Sequence, residues 1–162
     1  MEFNFKNPKL DLVFKYFEEI SKIPRGSGNE KEISDYLASE GKRLNLEVIQ
    51  DNALNVIIKK PASPGYENAP AVILQGHMDM VCEKNKDTDH NFVTDPIKLR
   101  VEYDMIYATG TTLGADNGIA VAMGMAVLAS NNLEHPAIEV LITTDEEAGM
   151  SGAMAFDGSL LK

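Results

Sequence analysis

Apolar residues recur at helical spacing in the first quarter of the chain. In KLDLVFKYFEEISK (9–22), Leu12, Val13, Tyr16, Phe17 and Ile20 share one face, which predicts a helix stopped by Pro24 and Gly26. SGNE (27–30) reads as a capping box, with Ser27 as the cap and Glu30 reaching back. A second helix is predicted over roughly 28–44, with Ile33, Tyr36, Leu37 and Leu44 inward and Gly41 weakening its last turn. LEVIQD (46–51) and NVIIKK (55–60) read as strands around a turn at Asp51-Asn52, and PASPGYENAP (61–70) as a surface connection. AVILQ (71–75) is a continuous apolar run of the kind buried on both faces of a sheet. CEKNKDTDHNF (82–92) reads as a polar, mobile loop, and IKLRVEY (97–103) with MIYA (105–108) as a hairpin. From Asn117 to Ala129 the chain is apolar almost all round and rich in small residues, which predicts a buried helix close to a sheet. IEVLIT (138–143) is a further buried strand. Helices alternating with strands predict a single α/β domain, with a mixed sheet sandwiched by helices.

Three polar clusters punctuate this pattern. GHMD (76–79) follows the strand at 71–75, GADNG (114–118) opens the buried helix, and TDEEAG (144–149) follows the strand at 138–143. Ligands of α/β sheets gather at the carboxyl ends of strands, so the clusters can converge although they are distant in sequence. Three adjacent acids, Asp145, Glu146 and Glu147, repel one another unless cations compensate them. His, Asp and Glu together suit zinc, and also manganese or cobalt. A carboxylate can bridge two such ions, and metals about 3.5–4 Å apart are a hydrolytic device. Each residue also has an ordinary reading. His77 suits a hydrogen-bonded strand end, Asp79 a turn, Asp116 a helix cap, and the acidic triplet a charged helix start.

Charge and composition narrow the field. The chain has 162 residues, 44% of them hydrophobic, and 25 acids against 15 bases, a net charge of −10. Such a surface repels nucleic-acid phosphates. No stretch has the length of a signal peptide or a membrane span, and Cys82 has no cysteine partner, so the expectation is a cytoplasmic protein with no membrane partner. Cys82 reads as a small, semi-buried residue, and His90 and His135 as surface or structural residues.

Taken in order, GHMDMVCEKN (76–85), GTTLGADNGIAVAMGMAVL (110–128) and TTDEEAGMSGA (143–153) resemble the dinuclear-zinc peptidases of the M20 family. Within that family the pattern is most similar to the dipeptidases acting on Xaa-His dipeptides, and PRGSGNE (24–30) and HPAIEVL (135–141) fit it too. The resemblance implies two divalent metals, zinc with manganese or cobalt as alternatives. His77 would be a terminal ligand of one, Glu147 a terminal ligand of the other, and Asp116 the bridge between them. It makes Glu146 the general base that carries a proton from the attacking water to the leaving amine, and Asp79 the acid that orients the His77 imidazole. It also implies a cis peptide at Asp116-Asn117, leaves Asp145 a structural role, and points to a small peptide substrate and a homodimeric full-length form.

Family members are longer. They add an acidic ligand beyond the position of Lys162, a histidine ligand near their C-terminus, and a lid domain. The resemblance therefore implies that residues 1–162 correspond to the N-terminal part of the catalytic domain, with no second domain expected within them. By itself such a piece is expected to show little activity and to expose a strand edge. The rival readings are another M20 amidohydrolase (tripeptidase, carboxypeptidase or deacylase), a non-catalytic metal-binding fragment, and an acidic binding protein without metal.

Overall fold

A computed structural model describes residues 10–162; the predicted helix start at Lys9 lies outside them. Helix α1, Asp11–Ser21, buries Tyr16, Phe17 and Ile20, and Leu12 and Val13 pack partly buried against the same cluster. It closes before Pro24, where the Lys22 and Ile23 amides bond the Glu19 and Ile20 carbonyls.

Helix α2, Lys31–Arg43, starts three residues later than expected, because the capping box does not form. Glu30 stands at the cap without a side-chain hydrogen bond into the helix. Ser27 and Glu30 serve distant partners instead. The Ser27 hydroxyl donates to Asp79 Oδ2 at 2.7 Å, and Glu30 Oε1 accepts the Asp145 amide at 3.0 Å. A hydrogen bond to an ionised group is roughly twice as strong as a neutral one, so a buried carboxylate outcompetes a local cap for the serine. Gly41 also has another role than weakening the helix. A Cβ there would lie 2.7 Å from Val48 Cγ2 and 3.0 Å from Ile58 Cδ1, so glycine lets α2 rest directly on the strands beneath.

The predicted strands follow as β1 (Glu47–Gln50), β2 (Val56–Lys60) and β3 (Val72–His77). The hairpin forms as β4 (Leu99–Glu102) and β5 (Met105–Ala108), a separate two-stranded sheet. Helix α3 (Ala115–Ala129), strand β6 (Ile138–Thr143) and the short helix α4 (Ser151–Ala155) complete the order. The main sheet is mixed, in the order β1-β2-β6-β3. All of β6 is buried, and it pairs antiparallel with β2 and parallel with β3. Residues of α1, α2 and α3 share one core with Val56, Ile58, Val140 and Ile142, which point to the same face of the sheet.

Strand β3 corrects the expectation of burial on both faces. Among the described residues it is an edge strand, with Val72 and Ile73 each 43% exposed. An apolar run does not by itself distinguish a central strand from an edge one. Burial returns at Gly76 and His77, where the strand passes under α3. Cys82 is exposed rather than semi-buried. Of the two readings for His90 and His135, burial favours the structural one, with His90 edge-on to Phe92 and His135 tied through its amide to the Ser63 hydroxyl. The loop at 82–92 is mostly exposed, yet it is tied to the 110–112 segment, with the Asn85 amide donating to the Gly110 carbonyl at 2.9 Å and the Thr112 amide to the Glu83 carbonyl at 2.8 Å.

On the opposite face of the sheet, Glu139 is 2% exposed, with Lys59 Nζ 3.0 Å from Oε1 and the Lys162 amide donating to Oε2 at 2.9 Å. Burial acts to raise the Glu139 carboxyl, but the Lys162 amide and the Lys59 ammonium outweigh it and hold it below the ordinary glutamate value. A depressed carboxyl stabilises the fold above its unfolded value, near pH ~4.3, and that contribution is lost as pH falls through the folded value. Glu139→Leu should therefore cost about 3 kcal/mol in urea unfolding at neutral pH, because Lys59 is left uncompensated, and adding Lys59→Met should recover most of it. The double variant should also lose part of the parent's fall in stability at acid pH. Equal stability of the single variant and the parent would refute this account.

Candidate metal centre

Sheet register brings the three polar clusters together. His77 ends β3 directly opposite Thr143, the last residue of β6, so the GHMD and TDEEAG turns leave the sheet side by side. Gly76 allows the third cluster to approach. A Cβ at this position would lie 2.6 Å from Asn117 Oδ1 and 3.3 Å from Ala120 Cβ, so glycine lets the start of α3 close onto the strand end. Helix α3 is interrupted at its first turn, where Asp116 and Asn117 depart from helical dihedrals and the Asp116-Asn117 peptide is cis.

The resulting geometry is one-sided. The His77 side chain is buried, at 8% exposure, whereas that of Asp116 is 81% exposed. His77 Nε2 lies 3.3 Å from Asp116 Oδ1 and 3.7 Å from Glu146 Oε2. His77, Asp116 and Glu147 each offer one ligand atom, and these atoms all lie within 4.8 Å of one another. His77 Nδ1 faces Asp79, 3.3 Å from Oδ1 and 3.2 Å from the carbonyl oxygen. With the ring proton on Nδ1, the Nε2 lone pair points at carboxylate oxygens. Lone pair and anion repel unless a cation lies between them, so this donor set fits a divalent ion.

Asp79 does more than face the histidine. It is fully buried, and it accepts the Ser27 hydroxyl, the Glu146 amide at 3.0 Å and the Glu147 amide at 3.1 Å. Burial alone would raise its carboxyl, but these hydrogen bonds overcome that effect and hold it below the ordinary aspartate value. One carboxylate thus orients the imidazole and fixes the backbone of the acidic turn. The Glu146 side chain, 41% exposed, stands beside the three-residue group without belonging to it. Asp145 shapes the turn. Its carboxylate accepts the Ser151 hydroxyl, and its carbonyl accepts the Gly149 and Met150 amides.

Ser27, Glu30 and Arg25 are the residues that sequence reasoning missed. The first two carried a signal that looked like a helix cap. Arg25, between two helix-stopping residues, carried none. The residue is 2% exposed, and its guanidinium donates to the carbonyls of Met78 at 3.0 Å, Asp79 at 3.4 Å and Gly114 at 2.6 Å. Burial pushes its pKa down to about 10. It remains charged at neutral pH.

A model of peptidase family M20/M25/M40 matches residues 73–162, more than half of the chain and all three clusters. The chain belongs to this family. Two relatives sharpen the placement within M20. The cytosol non-specific dipeptidase of Escherichia coli is 44% identical over 150 residues, which are 93% of this chain and 31% of that protein. The crystal structure of an aminoacylhistidine dipeptidase from Vibrio alginolyticus superposes with a TM-score of 0.91 at 44% identity, covering 96% of this chain and 33% of the other. A tripeptidase from Staphylococcus aureus is more distant, with a TM-score of 0.76 at 27% identity over 93% of this chain and 40% of its own. This M20 chain thus spans about a third of the length of its two nearer relatives. Among the described residues, no helix is long and apolar enough to cross a membrane.

Proposed function

We propose that this M20 chain forms part of the catalytic domain of a metal-dependent dipeptidase that acts on Xaa-His dipeptides at a dinuclear centre. The observation that carries the reading is the convergence of His77, Asp116 and Glu147 from three distant segments, with Glu146 alongside. In this reading His77 would hold one ion, Glu147 the other, and Asp116 would be shared by both. Zinc is the first choice on donor chemistry, with manganese and cobalt as alternatives. When bound, the ions polarise the scissile carbonyl and acidify water.

The chain's own residues supply the rest. The Glu146 carboxylate takes a proton from the attacking water as the new C–O bond forms, then delivers it to the amine nitrogen as the C–N bond breaks. Its own amide, donated to Asp79, holds the base in place, and its half-exposed side chain extends to within 3.7 Å of His77 Nε2. Asp79 keeps the His77 proton on Nδ1 and so keeps Nε2 available. The 44% identity to two dipeptidases, against 27% to the tripeptidase, favours dipeptides.

The test is a substrate panel on the intact protein, comprising Xaa-His dipeptides, tripeptides and N-acyl amino acids, with and without a chelator. Cleavage of the dipeptide, its loss on chelation and its return with zinc, manganese or cobalt are expected. Hydrolysis of tripeptides or acyl amino acids in preference to dipeptides overturns the substrate assignment. Hydrolysis indifferent to chelation overturns the metal.

A further inference from the structure

Arg25 is buried, its hydrogen bonds go to backbone carbonyls, and no carboxylate lies within ion-pair distance of it among the described residues, although the nearby Asp79 charge favours its ionised form. Burying a guanidinium on such terms is costly, so its placement calls for an explanation other than stability. Nη1 reaches the carbonyls of Met78 and Asp79, in the turn that carries His77. Nη2 reaches the Gly114 carbonyl, two residues before Asp116. The Arg25 carbonyl accepts the Met80 amide at 3.1 Å, and Ser27 bonds the Asp79 carboxylate, so the same short segment grips the first turn on several sides.

We propose that Arg25 is a positioning residue of the metal centre, whose rigid planar fork sets the spacing between the His77–Asp79 turn and the Gly114–Asp116 turn, and thereby between the imidazole and the carboxylate that share a cation. The inference rests on the metal-centre reading above. Lysine cannot replace the fork, because a single ammonium on a flexible stem does not fix two carbonyl groups at a set separation. The site also offers a second perturbation that leaves the arginine in place. A Cβ at Gly118, in the first turn of α3, would lie 2.7 Å from Arg25 Nη2, so Gly118→Ala displaces the guanidinium without removing its charge.

The experiment uses the intact protein with Arg25→Lys and Gly118→Ala variants, each stripped of metal. Titration with cobalt(II) is followed by visible absorption, and amide hydrogen exchange is measured before any metal is added. Cobalt(II) affinity about 10–100-fold weaker than that of the parent, with altered absorption bands, is expected of both variants. Exchange should accelerate over 78–80 and 114–118 and stay unchanged in β1 and β2. On a dipeptide, kcat should fall while KM holds. If Arg25→Lys does not fold, Gly118→Ala decides the matter. Parental cobalt(II) affinity and spectrum in a folded variant, or exchange accelerated evenly across the sheet, overturns the proposal and leaves the metal centre standing. A parent protein that binds no cobalt(II) overturns the metal-centre reading, and this inference with it.

Discussion

Glu146→Gln in the intact protein should lower turnover of a dipeptide by about 10²–10⁴-fold, the usual contribution of a positioned general base. Metal affinity should stay close to that of the parent. The two halves of this expectation follow from the geometry. Glu146 Oε2 is 3.7 Å from His77 Nε2, within reach of whatever occupies the space between imidazole and carboxylates, yet the residue lies outside the group whose ligand atoms cluster within 4.8 Å. Glutamine preserves shape and hydrogen-bonding capacity but cannot take up a proton. Steady-state kinetics beside a metal titration separates the roles. Near-parental turnover removes Glu146 as the base, and loss of metal with loss of turnover makes it a ligand instead.

Asp79→Ala should act on both stability and metal binding. Four groups converge on this carboxylate, namely the Ser27 hydroxyl, the Glu146 and Glu147 amides and the His77 ring. Alanine removes the acceptor of the first three, whereas His77 Nδ1 keeps the main-chain carbonyl of residue 79 at 3.2 Å. Each stranded buried group costs about 1–3 kcal/mol, and with partial relaxation the sum should be about 3–5 kcal/mol in urea unfolding of the metal-free protein. Metal affinity should fall about 10–100-fold as the imidazole loses its orientation. Asp79→Asn is the informative companion. It keeps one acceptor but turns an NH₂ group towards a backbone N–H, so it should lie between alanine and the parent in stability. A loss below about 1 kcal/mol for Asp79→Ala would show that the acidic turn holds its shape without this carboxylate.

Both expectations trace to residues whose chemical type was legible from the start, whereas their partners were not. The face of α1, the buried β6, the hairpin and the small-residue helix α3 were all readable, because periodicity records how side chains divide between water and core. The three polar clusters were readable for a similar reason, since charged residues at the ends of apolar runs stand out. Among the local readings that failed, two border the site. SGNE matches a capping box, but its serine and glutamate bond Asp79 and the Asp145 amide. AVILQ matches a central strand, but β3 is an edge strand among the described residues.

The amino-acid order by itself determined which segments are helix or strand and which residue types carry the chemistry, because those follow from interactions within a few residues of chain. The tertiary structure decided that Ser27 faces a carboxylate 52 positions away, and that Arg25 spans two turns 53 and 89 positions from it. A polar side chain takes the strongest partner that folding brings within reach, and across such separations no local spacing encodes which partner that is.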